Sequence, residues 1–392
     1  MSSAVAPAGL TGRLATLDPA ILSQERRLQA FEQFSQLPSR RERVGRYWRI
    51  DLETLSPDPA ADVAESSPRI DNPNARIVAC DLRVAATEYA EEFARAFGMT
   101  EIGSSKFGAL ARAFAQGGAF VYVPPNVAAT EPVVIDFDFA PGTAAFAYTV
   151  VYAAAGSEVT VIERFSGAPA FACGATEIVT DENATVTFAN HQNLTDAAQC
   201  VHSRFARPGK DATVHWACAD TGAALTVGEI AVAIEREGVE AGVTSIFFPN
   251  GTQHVDLVAR LDHTVGNSVS DTVVKSAAIG SGQARFVGGI RIAERAQGSD
   301  AALRDDALLL SERAHIDSVP ALEIAANDVK AYHGATVGAL DGDQIFYMQS
   351  RGIAAADAER MIAIAFFEPA IERFPTQSLR SSIRDAIEAK LG

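Results

Sequence analysis

VVIDFDF, at residues 133–139, is the stretch of sequence that decides the fold class. Val133, Ile135, Phe137 and Phe139 occupy every second position, with aspartates between the last three. A period of two is the spacing of a β-strand, in which alternate side chains point to the same face. The stretch therefore predicts a strand with one apolar, buried face.

The same alternation recurs from about Ala119 to Val329, which predicts a long all-β region. Turn-forming residues separate the predicted strands, for example at Pro249–Gly251 and Gly280–Gly282. So long a run of short strands exceeds an ordinary sandwich, and a β-helix competes with a sandwich or jelly roll. Further alternating segments are Val159 and Val161; Ala184, Val186 and Phe188; Val214, Trp216 and Cys218; and Val255, Leu257, Ala259 and Leu261.

Helical spacing replaces this period on both sides of the β region. Near the N-terminus, Leu28, Phe31 and Phe34 recur at helical intervals, and Pro38 ends that helix. Residues 56–74, rich in Pro, Ser, Asp and Ala, predict an exposed linker or loop.

The chain after Gly338 is predicted to be helical again, because Leu379, Ile383, Ile387 and Leu391 repeat every four residues. We therefore expect three regions: a mostly helical region with a linker at 1–118, a β core at 119–337, and a helical domain at 338–392.

Composition limits the classes of partner and compartment. Hydrophobic residues make up 48% and charged residues 21% of the chain, as in a folded globular protein. The formal net charge of -16 disfavours nucleic acid and anionic membranes. No run of about 18 apolar residues and no signal peptide is recognisable, so we expect a cytoplasmic protein.

The four cysteines are far apart in sequence and form no CxxC pair, so the pattern predicts reduced, buried thiols with structural roles. They are Cys80, Cys173, Cys200 and Cys218.

No nucleophile elbow, metalloprotease motif or phosphate-binding loop occurs in the sequence. The adjacent carboxylates Asp305 and Asp306 are a candidate pair for a β-helix carbohydrate-active enzyme, although two neighbouring acids are more often a solvated turn. His263 lies on the apolar face of its strand, which is typical of a hydrogen-bonded core histidine. His333 follows Val329 and Ala331 on one face just before the C-terminal helices, where an imidazole can bind a metal.

LLLSERAHIDSVPALEIAANDVKAYHGATVGALDGDQIFYMQSRGI, residues 308–353, resembles the C-terminal signature of the SufB/SufD family. Its HGATVG element at 333–338 resembles the SufD branch more than the SufB branch. KFGALARAFAQGGAFVYVPPNVAATEPVVIDF, residues 106–137, is similar to that family's entry into its core, and LPSRRERVGRYWRIDL, residues 37–52, to its N-terminal arm.

This resemblance implies a right-handed parallel β-helix flanked by helical domains, in a non-catalytic scaffold subunit for iron–sulfur cluster assembly. It implies a SufB-like partner, with which His333 would share a transient cluster, and a SufC-like ATPase, which alone would bind ATP. The helices after Gly338 would dock the ATPase through Phe346, Tyr347 and Arg351. Family members of this branch often have a cysteine two positions before the histidine, where this chain has Ala331.

The remaining alternatives are the carbohydrate-active enzyme and a structural adaptor that does not contact a cluster. An isolated chain that pairs with itself in place of the SufB-like subunit also remains open.

Overall fold

The computed structural model describes residues 12–37, 55, 57, 62–64 and 66–392 of the chain. Residues 38–52, which carry nearly all of the predicted N-terminal arm, lie outside the described residues. The structure is mainly β, with 43% strand and 23% helix, and its strands form a parallel β-solenoid of about 8 turns with helices at both termini. The predicted fold class is confirmed.

The described residues contain nineteen strands. In chain order they are β1 (Val63–Ala64), β2 (Arg69–Asp71), β3 (Val78–Asp81), β4 (Ala119–Val123), β5 (Val133–Phe139), β6 (Ala144–Ala153), β7 (Glu158–Gly167), β8 (Phe171–Thr180), β9 (Thr185–Gln192), β10 (Gln199–Arg207), β11 (Thr213–Asp220), β12 (Leu225–Ile234), β13 (Glu240–Phe247), β14 (His254–His263), β15 (Val269–Ala278), β16 (Gln283–Ile292), β17 (Asp300–Leu309), β18 (His315–Ile324) and β19 (Lys330–Ala339).

Successive strands alternate between two sheets. The even-numbered strands from β4 to β18 lie side by side in one sheet, and the odd-numbered strands from β5 to β19 form the other. Neighbours within each of these series are parallel, because each coil of the chain returns to the same sheet in the same direction. Asp256 and Arg285, which are register partners on neighbouring coils, are 29 residues apart.

The core fills the lumen, which is the space enclosed between the two sheets. Val255, Leu257, Ala259 and Leu261 of β14 are at most 3% exposed and belong to this core, as the alternation predicts. Burying one such aliphatic side chain stabilises the fold by about 1.5–3 kcal/mol. Corresponding positions on neighbouring strands stack along the lumen because the parallel register keeps inward residues above inward residues.

One corner of the coil repeats the same backbone conformation on successive turns. Asn183, Asp211, Gly238, Asn267 and Gly298 all have positive φ, from 54° to 73°. The backbone N–H of each donates a hydrogen bond to a carbonyl on the next coil. Gly, Asn and Asp tolerate this left-handed region better than other residues, which explains why turn-forming residues recur along the sequence.

The helices are α1 (Gln24–Gln36), α2 (Leu82–Glu88), α3 (Ala90–Ala94), α4 (Lys106–Phe114), α5 (Gly342–Ser350), α6 (Ala355–Ile371) and α7 (Gln377–Leu391), with a 3-10 helix at Glu101–Ser104. The N-terminal helices pack on the outer face of the even-numbered sheet, where Phe114 stacks on Phe146 at 4.5 Å between ring centroids. Arg27 of α1 is fully buried there and donates a 2.9 Å hydrogen bond to the Ala113 carbonyl.

The last two helices pack on the outer face of the odd-numbered sheet. Phe367 of α6 lies 5.7 Å from Phe248, measured between ring centroids, and both are fully buried. Lys390 of α7 donates to the Phe248 carbonyl at 2.7 Å and to Gln253 Oε1 at 2.6 Å. Both contacts hold these helices to the wall of the solenoid.

The two ends of the solenoid differ. At the N-terminal end, the short strands β2 and β3 pair antiparallel with β5 and β4. At the other end, β18 and β19 pair on one side only, and β19 is largely exposed. Strands β1 and β2 fall within residues 56–74, which were predicted as a linker or loop. They are only two and three residues long, too short for a period to be visible in the sequence.

Candidate functional site

His333 lies at the open end of the solenoid, which we define as the uncovered edge formed by β18 and β19. Its register partner on β17 is Leu303, an inward-facing core residue that is 1% exposed. Val329 and Ala331, on the same face as His333, pack against the core. His333 itself is exposed. The structure therefore places it on the lumen-facing side of the last strand, as the sequence spacing predicts.

Tyr332 occupies the opposite face of β19 and is 55% exposed. Its ring lies over Gly334, where an added Cβ would be only 2.5 Å from the Tyr332 hydroxyl. The Arg304 guanidinium lies 5.9 Å from the centroid of that ring. Gly334 therefore leaves room for the Tyr332 ring on the outer face of β19.

Asp305 faces the lumen one coil below β19. It is 1% exposed, its register partner on β19 is Ala335, and Ser318 Oγ donates a hydrogen bond to its Oδ2. Its other carboxylate oxygen, Oδ1, is buried and has no hydrogen-bond partner. Burial raises the pKa of Asp305 to about 7.

Asp306 points to the outer surface, where it accepts hydrogen bonds from Lys275 Nζ at 2.7 Å and Thr336 Oγ1 at 2.6 Å. Burial by itself would raise the pKa of Asp306, but these hydrogen bonds outweigh it and lower that pKa below its ordinary value. The interpretation of Asp305 and Asp306 as a solvated turn is wrong: both lie within β17, and the pleat sends their side chains to opposite faces.

A buried polar network crosses the lumen several coils further from the open end. Glu163 accepts hydrogen bonds from Thr149 Oγ1 at 2.6 Å and from Asn190 Nδ2 at 2.9 Å. Arg204 Nη2 donates to Asn190 Oδ1 at 2.8 Å and lies 3.3 Å from Asp220 Oδ1. All five residues are at most 1% exposed. Burial raises the pKa of Glu163 to about 7.

His202 extends this network towards the even-numbered sheet. Its Nε2 hydrogen-bonds Thr176 Oγ1 at 3.0 Å and lies 3.7 Å from Glu163 Oε2, and its ring stacks on Phe165. Burial lowers the pKa of His202 well below its ordinary value, because the positive form loses its hydration. The ring is therefore neutral in the fold.

The cysteines are free thiols, and Cys173, Cys200 and Cys218 are buried. Burial raises the pKa of Cys218 to about 12, and it also raises that of Cys200. Since the thiolate is the nucleophile and metal ligand, these buried thiols are poorly suited to either role in this conformation. Among the described residues, no three of the His, Cys, Asp or Glu side chains group as a metal site.

The residues of the polar network are not among the site residues predicted from the sequence, although the sequence carries a signal for them. The alternation through Val159 and Val161 leads to Glu163, and that through Trp216 and Cys218 leads to Asp220. A charged residue at an inward position of a strand is expensive unless it is paired. Continuing each alternation to its end would have identified these residues.

His263, the other histidine weighed from sequence, is a core residue. It is fully buried, and its Nδ1 and Nε2 each lie 2.8 Å from a serine hydroxyl, those of Ser268 and Ser270. Burial lowers its pKa to about 4. His263 lies away from the open end, and both of its ring nitrogens already take part in hydrogen bonds, so neither is free to bind a metal.

The predicted docking residues lie on or directly after α5. Phe346 is 72% and Tyr347 59% exposed, and Arg351 Nη2 donates to the Tyr347 hydroxyl at 3.3 Å. None of the residues of α5 is buried. Phe346 is therefore not internal packing in this chain.

Comparison with protein families gives the context of this site. The family model described as the SufBD core domain of the SUF system for FeS cluster assembly matches residues 137–366, which is more than half of the chain. The chain belongs to the SufBD family. The matched region of this SufBD protein includes the polar network, the open end of the solenoid and α5.

Individual relatives of this SufBD protein point to the same family. The iron-sulfur cluster assembly protein SufD of Bacillus subtilis is 28% identical over 80% of this chain and 74% of its own length. A SufBD family protein of Mycobacterium leprae is 30% identical over 66% of this chain, which spans only 30% of that relative. One from Staphylococcus epidermidis is 26% identical over 74% of this chain and 64% of its own length. The chain is SufD-like, and its family supports a role in iron–sulfur cluster assembly.

No helix among the described residues is long and apolar enough to cross a membrane.

Proposed function

We propose that this chain is a non-catalytic scaffold subunit that builds iron–sulfur clusters together with a SufB-like subunit. The observation that carries the proposal is the position of His333 on the lumen-facing side of the last strand, exposed at an unpaired sheet edge. A second solenoid that extends this sheet would meet the imidazole at the junction. His333 is the metal ligand there, and the transient cluster is the cargo of the assembly.

The donor set supports a cluster shared between two chains. Iron–sulfur clusters need thiolate ligands. The three buried cysteines of this chain hold their protons, and Ala331 stands where a cysteine would be on the same face as His333. The thiolates would therefore come from the SufB-like partner, and this chain would contribute the imidazole.

ATP binding and hydrolysis are assigned to a SufC-like partner, since the sequence contains no GxxxxGK[ST] phosphate-binding loop. The exposed side chains of Phe346, Tyr347 and Arg351 would form the docking surface for that ATPase. Aromatic residues and arginine are typical anchors of interfaces. Movement of the ATPase would then separate or join the two scaffold subunits.

The test is His333→Ala, co-expressed with the neighbouring SufB-like and SufC-like subunits and purified without oxygen. We expect the complex to assemble but to contain little iron and acid-labile sulfide. His315→Ala is the matched control, because His315 on β18 has a side chain that is 45% exposed and that faces Asp317. It should leave iron and sulfide unchanged.

Normal cluster content in an assembled His333→Ala complex would reject the role in cluster assembly and leave the chain a structural adaptor. If the isolated chain pairs with itself, the same residue would lie at the junction of the homodimer.

A further inference from the structure

A second donor lies beside His333 inside the open end. We propose that Asp305 binds ferrous iron together with His333, so that this chain holds the metal through one carboxylate and one imidazole before the cluster is built. The inference rests on the proposed function and adds a residue to it.

The register brings both side chains to one face. His333 is the partner of Leu303, and Asp305 follows two positions later on the same inward face of β17. Neighbouring strands lie about 4.8 Å apart, and diagonal neighbours on one face lie roughly 7–8 Å apart. One ion bonded at about 2 Å to each donor can bridge such a pair.

The space between the two donors is lined by a small side chain. Ala335 is the direct register partner of Asp305 on β19, and it is exposed at the rim of the open end. At this position only a methyl group lies between Asp305 and the uncovered edge. A larger residue here would separate Asp305 from an incoming ion.

The hydrogen bonding of Asp305 is incomplete in a way that points to a ligand. Ser318 satisfies only Oδ2, while Oδ1 has no partner although the residue is only 1% exposed. A buried carboxylate oxygen without a partner is costly, so such an atom calls for an explanation, of which a bound ion is one. If the residue were present only to hold Ser318, a neutral hydrogen-bond acceptor would serve that purpose.

The chemistry of the pair suits ferrous iron. Carboxylate and imidazole are the ligand types of non-haem iron sites, and both bind Fe²⁺ in an open coordination sphere. Two protein ligands leave the other positions to water, which thiolates and sulfide from a facing chain can displace. Binding at this stage changes no oxidation state.

The test is anaerobic titration of the full chain with Fe²⁺ alone, in competition with a chelating dye. Asp305→Asn keeps the shape and the hydrogen bond to Ser318 but removes the charge, and we expect it to weaken Fe²⁺ binding at least about tenfold. Asp300→Asn is the matched control: Asp300 is an exposed aspartate on the same strand, and its loss should leave the affinity unchanged. Asp305→Glu should restore part of the affinity.

Ala335→Leu tests the same site without touching either donor. It fills the space above Asp305 at an exposed position, and we expect it to weaken Fe²⁺ binding while thermal unfolding stays unchanged. If Asp305→Asn fails to fold, Ala335→Leu provides the test instead: unchanged Fe²⁺ binding by this variant would overturn the role of Asp305.

The outcomes separate the two proposals. If His333→Ala abolishes Fe²⁺ binding and a folded Asp305→Asn binds as tightly as the unchanged chain, the role of Asp305 is overturned while that of His333 stands. Absence of Fe²⁺ binding by the unchanged chain also overturns the inference, whereas the scaffold proposal is judged separately by cluster content in the complex. Loss of binding in Asp305→Asn, Ala335→Leu and His333→Ala, with Asp300→Asn unaffected, supports both.

Discussion

At the scale of single residues, part of the lumen holds charged side chains at inward positions that are aliphatic on the next coils, where Ile230 and Ala259 follow Arg204 in register. Arg204 and Asp220 form a fully buried ion pair, and Asn190 joins it to the buried Glu163. A buried pair of this kind adds little net stability by itself, but removing one partner leaves an uncompensated charge. The network therefore makes the middle of the solenoid sensitive to single substitutions.

We expect Arg204→Met to lower the free energy of unfolding by about 3–5 kcal/mol, since the buried Asp220 carboxylate would lose the cation with which it pairs. The measurement is urea unfolding at neutral pH. Arg164→Met is the matched control, because Arg164 forms a bidentate ion pair with Asp136 on the surface. The side chain of Arg164 is 47% exposed. It should cost less than about 1 kcal/mol. Equal losses in the two variants would contradict the importance of burial.

His263 gives a prediction about pH. Its pKa is about 4 in the fold, against an ordinary value of about 6.5 in the unfolded chain. The unfolded chain therefore binds the proton first, and the contribution of neutral His263 to stability is present above pH 6.5 and lost as the pH falls towards 4. His263→Gln removes this titration. Between pH 6.5 and pH 4, the free energy of unfolding of this variant should therefore fall by about 3 kcal/mol less than that of the unchanged chain. Parallel pH profiles of the two proteins would refute this.

Part of this residue-level detail could be predicted from the sequence, and part could not. The inward positions of Val255 and Leu257 follow from alternation, because apolar residues at every second position indicate a strand with one buried face. The orientation of Asp305 does not, since two adjacent acids look alike in a turn and in a strand that sends one inward and one outward. Burial of Arg204 depends on Asn190 and Asp220, which lie on the facing sheet, 14 and 16 residues away in sequence, and become neighbours only in the fold.

At the scale of elements, α5 differs from the helices that follow it. Its nine residues include none that is buried, whereas α6 and α7 insert Phe367 and Ile383 into a core cluster. A helix this short is marginal in water without packing. We infer that α5 gains stability when a partner covers it.

We expect the double variant Tyr347→Ala and Arg351→Ala to weaken binding of the SufC-like ATPase at least about tenfold in a binary capture assay, since anchors of this type often contribute 2 kcal/mol or more. The matched control is Tyr332→Ala with Arg304→Ala. That pair is a second exposed Tyr and Arg in contact, but it lies on the solenoid wall. Capture that is unchanged in the first variant, or equally reduced in both, would argue against docking through α5.

Element order was largely readable from the sequence, but sheet geometry was not. A period of two is the same in parallel and antiparallel sheets, so alternation left the β-helix and the sandwich in competition. Family resemblance, and not the pattern, favoured the β-helix. The difference lies in the partners of each strand, such as Asp256 with Arg285, and these partners are about one coil apart in sequence.

At the scale of the whole molecule, the outer edge of β19 has no strand beside it among the described residues. Lys330 N–H donates to the Ser299 carbonyl on the β17 side, at 2.9 Å. Because N–H groups alternate along a strand, those of Ala331, His333, Ala335 and Val337 point towards the uncovered edge. An open edge of this kind pairs readily with a strand of a second protein.

Val337→Pro tests this pairing, because it removes one N–H that points outward and leaves the hydrogen bonds to β17 intact. We expect weaker association, either with the SufB-like subunit or of the chain with itself, while the melting temperature changes little. Val337→Ala is the control, since it removes most of the same side chain but keeps the N–H. Analytical ultracentrifugation provides the measurement, and equal association of both variants would rule out edge pairing through this residue.

The difference between the two ends of the solenoid also limits how large an assembly can become. In the language of polymer chemistry, a monomer with two reactive ends grows into a fibre, and one with a single reactive end terminates growth after one coupling. Among the described residues, the outermost strands at one end are β2 and β3, which are three and four residues long and pair antiparallel, whereas β18 and β19 at the other end present edges of ten residues each. If a partner pairs only with the longer β18–β19 edges, the chain has a valence of one, and stacking stops at two solenoids with a single junction in each pair.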